Sequence, residues 1–266
     1  MRYSALFGKS LRNVHHNVRS EGYALLLRGG FVRSLGTGLY SFLPLGQRVA
    51  EKLYALIRRE MEGLSGQEVT VPLVNPAEIW QKSGRDRLVG PDMARFRDRH
   101  GKQMVIAPSH EEAFVELVKN GIRSYRDLPL FLYQFQHKYR DEERTRSGLL
   151  RAREFTMKDA YSFHRSASDL NNFFPRVFAA YERIFRRCGL EIEAAESGVG
   201  YMGGVKAYEF VIPCEHGDDI MMRCPGCGYR ANRDVAMGHK EFTSGTPKPL
   251  SKVATPGCDT MDKQIG

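Results

Sequence analysis

The sequence predicts an α+β protein, and three observations carry that expectation. Two segments with helical apolar spacing, 46–62 and 168–188, alternate with segments whose apolar residues recur every second position. A charged stretch, 138–146, sits between two such alternating segments and turns at Ser147-Gly148, as the tip of an antiparallel hairpin does. The chain has 266 residues and is 42% apolar and 11% aromatic, enough to bury a sizeable core and too much for a disordered chain. At roughly 100–200 residues per domain, that length allows one large domain or two small ones.

Composition excludes several classes. No apolar stretch approaches the ~18–20 residues of a membrane-spanning helix; Leu25–Leu27 is typical of the longest. Met1 to Ser10 lacks an apolar segment and a small-residue cleavage site, which argues against secretion. Five cysteines are an odd number and too sparse for a disulfide scaffold, so a reducing cytoplasm is expected. Lys and Arg number 40 against 31 Asp and Glu, a net charge of +9 that suits a polyanionic partner. A plain soluble basic protein would share that charge.

Each element follows from its own pattern. Val49, Leu53, Leu56, Ile57 and Met61 form the apolar stripe of the helix over 46–62, with charged residues between them. Val69, Val71 and Leu73 alternate in a strand expected from Glu68 to Val74, and Pro72 inside it predicts an edge or an interface. Ser109 and Glu112 have capping-box spacing for a helix to Asn120, with Gly121 as its stop. Phe131, Tyr133 and Phe135 alternate in a strand over Leu130–Gln136, and its partner is expected over Leu149–Met157. Leu170, Phe174, Phe178, Tyr181, Ile184, Phe185 and Cys188 line one side of the helix over 168–188, which Pro175 starts or kinks and Gly189 ends. Residues 190–235 return to Gly-rich strand and turn. The Pro-containing polar stretch after them, 240–266, reads as a linker, so 1–239 is expected to form the core.

The hairpin carries the chemistry. Alternate residues of a strand share a face, so Arg140 and Glu142 would point one way, as would Arg151, Arg153 and Phe155. Arginine forks match phosphate oxygens, a glutamate accepts from an exocyclic amine, and a phenylalanine face stacks on a purine. That is an ATP site without a glycine-rich loop; the bland alternative is a solvated charged ribbon.

Tyr139-Arg140-Asp141-Glu142 and Gly148-Leu149-Leu150-Arg151-Ala152-Arg153-Glu154-Phe155 resemble motif 2 of class II aminoacyl-tRNA synthetases. The longer string through Met157-Lys158-Asp159-Ala160-Tyr161-Ser162-Phe163-His164 resembles the bacterial-type prolyl-tRNA synthetase family. Gly36 to Gly46 is similar to the family's segment before motif 1, and the helix after it with the Pro72 strand resembles motif 1, which builds a dimer interface in class II enzymes. Pro108-Ser109-His110-Glu111-Glu112 resembles its Thr-x-Glu proline-recognition loop, and Gly203-Gly204, Glu209-Phe210 and Gly228-Tyr229-Arg230-Ala231-Asn232 match further blocks. The resemblance runs from about residue 1 to 262.

It implies a class II antiparallel sheet flanked by helices and a proline–tRNA ligase activity using ATP and Mg2+. Arg140 would hold the α-phosphate, Glu142 the adenine amine, and Arg151 the outer phosphates; Phe155 would stack on adenine. Ser109 and Glu111 would bind proline, Lys158 and Asp159 would shape its pocket, and Phe163 would wall it. Arg144 and Arg146 at the hairpin tip would contact tRNA-Pro, and motif 1 would give a homodimer.

Three departures accompany the resemblance. Ala207-Tyr208-Glu209-Phe210 stands where the family has Ser-His-Glu-Phe, so the histidine is absent from a region that helps close the amino-acid pocket. Thr255-Pro256-Gly257 and Thr260 resemble the entry to an editing insertion whose remainder is missing, as are motif 3 and the anticodon-binding domain, so an incomplete fold and a truncated, weak or inactive ligase are expected. Cys214, Cys224 and Cys227, with His216, offer zinc ligands, but one C-x-x-C is half of a zinc signature, and free surface thiols are favoured. The competing function is a non-catalytic synthetase-like protein that binds tRNA, amino acid or a synthetase subunit. A zinc-ribbon nucleic-acid binder accounts only for 214–227.

Overall fold

The structure, a computed structural model, describes residues 2–214 and 217–238; the linker expected over 240–266 lies outside them. Helix α1 (Glu21–Arg28) begins at Ser20, whose hydroxyl accepts from the Tyr23 amide. A short hairpin, β1 (Val32–Gly36) with β2 (Leu39–Phe42), leads into α2 (Pro44–Glu62). Pro44 opens α2 in the first turn, where a missing N–H is harmless. The chain continues through β3 (Gln67–Glu68), β4 (Val74–Pro76), α3 (Ala77–Ser83), α4 (Arg85–Val89), β5 (Arg95–Arg97) and β6 (Gln103–Ile106). Then come α5 (Glu111–Gly121), β7 (Leu130–Tyr139), β8 (Glu154–Phe163) and α6 (Ala167–Arg187). Four short strands follow: β9 (Glu193–Ser197), β10 (Ala207–Val211), β11 (Met221–Arg223) and β12 (Arg230–Asn232).

The long hairpin β7–β8 is the spine. Its register is unbroken from Leu130↔Phe163 to Tyr139↔Glu154. Phe131 and Tyr133 face α2 and α6, where they pack with Met61, Leu64, Ala180 and Ile184. Leu132 faces the other way, onto Val71, Phe114 and Val118 beneath α5. The hairpin is thus buried on both faces, and its second face leads to the polar site described below.

Helix α6 departs from a one-sided stripe. Phe173, Val177, Ala180 and Ile184 meet the hairpin, while Phe174, Phe178, Tyr181 and Phe185 pack their rings on Tyr208 and Phe210 of β10. It is a helix wedged between two sheets, and Pro175 lies within it. β10 and β9 continue into the mixed sheet β10-β9-β12-β11.

The strand expected from Glu68 to Val74 is two strands in different sheets. Residues Gln67–Glu68 pair in parallel with Leu132–Tyr133, at the edge of β3-β7-β8, and Val74–Pro76 join β6. Pro72 has no N–H for a ladder. Around it, side chains of β7 replace the ladder: the Val71 amide donates to Gln134 Oε1 (3.1 Å), and Gln136 Nε2 donates to the Val71 carbonyl (2.8 Å).

Helix α2 crosses the β1 approach closely. A Cβ at Gly46 would lie 2.2 Å from the Phe31 carbonyl oxygen, and backbone cannot swing aside as a side chain can. Gly46→Ala should therefore lower stability by about 1–3 kcal/mol, read as a lower urea midpoint at an unchanged m-value.

Candidate active site

The polar face of the hairpin is set by its register. Gln134 stands opposite Asp159, and Leu132 opposite Tyr161. Asp159 is buried and accepts three hydrogen bonds: from Lys138 Nζ (2.8 Å), Gln134 Nε2 (3.0 Å) and Tyr161 Oη (2.6 Å). Lys138 and Gln134 are fully buried. Burial pushes the Lys138 ammonium below its usual range, with Asp159 pulling the other way, and burial raises the Tyr161 phenol.

Against this network lies the segment Pro108 to Glu111. The Ala107 carbonyl accepts from the Tyr139 amide (3.4 Å), which fixes the segment to the end of β7. The capping box expected from Ser109 and Glu112 does not form. His110 is the N-cap residue and makes no side-chain cap, because Ser109 and Glu112 are both committed to the interior. Glu112 instead pairs with Arg85 (2.9 Å) and accepts from the Ser83 hydroxyl (2.8 Å).

The Oε2 of Glu111 is buried and unpartnered among the described residues. Burial raises its carboxyl above the usual range, opposed by the Ser109 hydroxyl. His110 is fully buried and neutral. Burial, then the Lys138 cation, push its imidazole down to about 4.

The charged hairpin tip is a loop, not a strand pair. β8 begins at Glu154, five residues later than Leu149, and residues 148–150 form a 3-10 turn. Pairing continues one step beyond the strands, from the Arg140 amide to the Arg153 carbonyl (2.8 Å). Then each side finds a new partner: the Asp141 amide donates to the Asp92 carbonyl (2.9 Å), and the Arg153 amide to the Gly38 carbonyl (2.9 Å). Gly38, at φ +75°, makes the β1–β2 turn that receives it.

The loop nevertheless gathers the four expected residues. Arg140 donates from Nε to the Pro108 carbonyl (3.2 Å), with its guanidinium 5.5 Å from the Phe155 ring centroid. Arg151 pairs with Glu142 (2.9 Å), which also accepts from the Arg144 amide (3.1 Å); these contacts hold the Glu142 carboxyl below its usual range. Asp218 reaches the loop from the β10–β11 connection, paired with Arg146 and 3.6 Å from Arg151. Arg144 is exposed.

Other expected residues are placed elsewhere. Lys158 alternates to the opposite face of β8 from Asp159 and donates to the Tyr181 hydroxyl on α6, away from Glu111. Phe163 packs with Phe114 and Leu132 in the apolar cluster under α5, at the end of β8 far from the loop. Among the described residues no three His, Cys, Asp or Glu side chains converge on a metal position. Cys214, Cys224 and Cys227 are free thiols, and His216 lies outside the described residues. The Cys227 and Gly226 backbone lowers the Cys224 thiol.

Sequence patterning missed Gln134, Lys138, Tyr161, Tyr201 and Asp218. The first three sit at alternate or paired hairpin positions, so an exact register would have found them. Tyr201 and Asp218 are brought in by loops and leave no periodic signal.

The sequence profile of the tRNA synthetase class II core domain (G, H, P, S and T) matches residues 95–246. The chain belongs to that family. Three curated proteins named proline–tRNA ligase align along nearly all of it. The one from Salinispora tropica is 45% identical over 98% of this chain and 44% of its own length. Those from Moorella thermoacetica and Thermotoga maritima are each 43% identical, over 98% and 99% of this chain and 46% of their own lengths. The chain thus spans about half the length of the curated relatives it matches. A solved structure, Giardia lamblia prolyl-tRNA synthetase in complex with prolyl-adenylate, superposes with TM-score 0.59 at 21% identity, over 62% of this chain and 35% of that one. The class II fold expected from the hairpin is the fold observed. No described helix is long and apolar enough to cross a membrane.

The His110 environment sets a pH dependence. In the unfolded chain an imidazole takes its proton near 6.5; in this fold it does so near 4. Between those values the unfolded state binds more protons, so His110 favours the fold fully above pH 6.5 and loses that contribution as pH falls toward 4. The full span is on the order of 3 kcal/mol. Glu111, with its raised carboxyl, acts oppositely and loses its contribution as pH rises above 4.5. Urea midpoints of the unaltered protein and His110→Gln at pH 4.5 and 7 should diverge, the variant losing less on acidification.

Proposed function

We propose that this chain is the amino-acid-activating part of a cytoplasmic proline–tRNA ligase. Its substrates are proline, ATP with Mg2+ on its phosphates, and tRNA-Pro. One observation carries the proposal: Arg140 spans from the Pro108 carbonyl to the Phe155 ring. It joins the hairpin loop to the segment that bears Glu111, so a phosphate-binding arginine and an ammonium-binding carboxylate serve one reaction centre. The names of the relatives, at 43–45% identity, point the same way.

The chemistry follows from these residues. Glu111, a buried carboxylate without a cation, takes the secondary ammonium of proline, with the Ser109 hydroxyl beside it. ATP stacks on Phe155. Its phosphates draw Arg151 away from Glu142 and Asp218, which frees the Glu142 carboxylate to accept from the adenine amine. The proline carboxylate oxygen attacks the α-phosphorus, the bond to the pyrophosphate oxygen breaks, and Arg140 neutralises the charge that develops between them. Positioning supplies much of the acceleration, since no proton moves in this step. The tRNA 3′ hydroxyl then attacks the prolyl carbonyl and AMP leaves. Arg144, and Arg146 once released from Asp218, reach its phosphates.

The test is proline-dependent exchange of ATP with pyrophosphate. Arg140→Ala should lower kcat by about 10²–10³ with a smaller change in KM. Glu111→Gln should act mainly on the proline KM. A folded chain with no exchange would refute autonomous activation and favour the binding-protein alternative.

The same reading includes a homodimer through motif 1. Val49 and Leu53, four residues apart on one side of α2, are exposed, as are Phe42 of β2 and Leu35 of β1, the last at 81%. Exposed apolar side chains of this kind suit an interface. Leu53→Glu should shift the sedimentation coefficient from dimer to monomer.

A further inference from the structure

The proposed chemistry leaves Glu112 and Arg85 without a task, although both are built in deliberately. Glu112 is 2% exposed in the first turn of α5. It is next to Glu111 in sequence and caps nothing. Its Oε1 receives both Arg85 Nη1 (2.9 Å) and the Ser83 hydroxyl (2.8 Å), and its Oε2 is buried without a partner among the described residues. Arg85 uses its other arm differently: Nη2 donates to the carbonyl of Met202 (2.9 Å), 117 residues away. One guanidinium therefore ties the turn Gly200–Met202 to the start of α5.

That turn carries Tyr201. Tyr201 adjoins Met202 and Glu111 adjoins Glu112, so the two acceptors of the Arg85 fork are the chain neighbours of Tyr201 and Glu111. The turn has little other regular structure to hold it: Gly200, Gly203 and Gly204 all have positive φ, at +58°, +74° and +120°. A buried ion pair adds little net stability, since desolvation offsets attraction, and its best-attested use is to fix one arrangement among several.

We propose that Arg85 is a positioning residue for the amino-acid half of the site, clamping Glu112 and the Met202 carbonyl together so that Tyr201 is set beside Glu111. This rests on the ligase reading for its kinetic consequence, but not for its structural one. Lysine keeps the charge and cannot span both acceptors as a fork does. Arg85→Lys should therefore release the turn without unfolding α4.

Two measurements on the full chain test this. Hydrogen–deuterium exchange of peptides covering 198–205 should speed up in Arg85→Lys and Arg85→Ala, with β7 and β8 unchanged; Arg87→Ala, on the same short helix, serves as control. In ATP–pyrophosphate exchange, Arg85→Lys should raise the proline KM about tenfold, with the ATP KM within about twofold. Glu112→Gln should reproduce both effects, and the double variant should be no worse than either single one. Unchanged amide exchange at 198–205 overturns the proposal whatever the activity. So does a parallel rise in both KM values, which is what a merely structural role would give. If the unaltered chain shows no proline-dependent exchange, autonomous activation fails, and the amide-exchange comparison alone decides on Arg85.

Discussion

The buried carboxylate of Asp159 is the constraint on which the site depends. A carboxylate removed from water is costly unless its oxygens are bonded and its charge is met. Here Lys138, Gln134 and Tyr161 meet it, and all three lie on the same hairpin. Slipping β7 against β8 by one residue would send Gln134 and Lys138 to the apolar face against α2 and α6, away from Asp159. Deleting one partner of such a pair costs roughly 3–5 kcal/mol. The network thus holds the register, and the register decides which side chains face Glu111 and where Arg140 leaves the strand.

The arginine loop obeys a different logic. Its charges are partly exposed and exchangeable rather than buried and fixed. Arg151 shares Glu142 and Asp218, and Arg146 also leans on Asp218. On the proposed reading, Glu142 and Asp218 here hold the arginines that the phosphates of ATP would take. Screening weakens such pairs, so exchanging a carboxylate for a polyphosphate needs no large rearrangement. The backbone anchors at Asp92 and Gly38 hold the loop while its side chains change partners. Rigid backbone with exchangeable side chains is what an entering nucleotide requires.

Much of this was legible in the sequence, and what failed has physical causes. The helices over 46–62 and 168–188 appear within two residues of the expected limits, because a long 3.6-residue period leaves little freedom. The hairpin was legible in kind but not in register: the apolar pair Leu149-Leu150 reads as strand, yet it forms the 3-10 turn before Arg151. Arg140, Glu142, Arg151 and Phe155 converge all the same, by loop contacts rather than by a shared strand face. Strand alternation separates Lys158 from Asp159, which adjacency in sequence had grouped. The capping box at Ser109 failed because tertiary demand for Glu112, from Arg85, outweighs a local cap worth about 1 kcal/mol. Tyr201 and Asp218 were invisible, since loops from distant segments carry no period.

The charges around the pocket argue for what it can hold. Asp159 is neutralised by Lys138, and Glu112 by Arg85. His110 carries no charge near neutral pH, since burial holds its imidazole down. Glu111 is left as the carboxylate without a cationic partner among the described residues, beside the Ser109 hydroxyl. A low-dielectric site with one uncompensated negative charge rewards one positive charge and penalises a second. Burial raises the Glu111 carboxyl, and a cation bound beside it would lower it again, so ammonium binding and the titration of Glu111 are linked. On the proposed reading, such a site selects its ligand by charge count before shape: one ammonium is taken, and a second positive charge is refused.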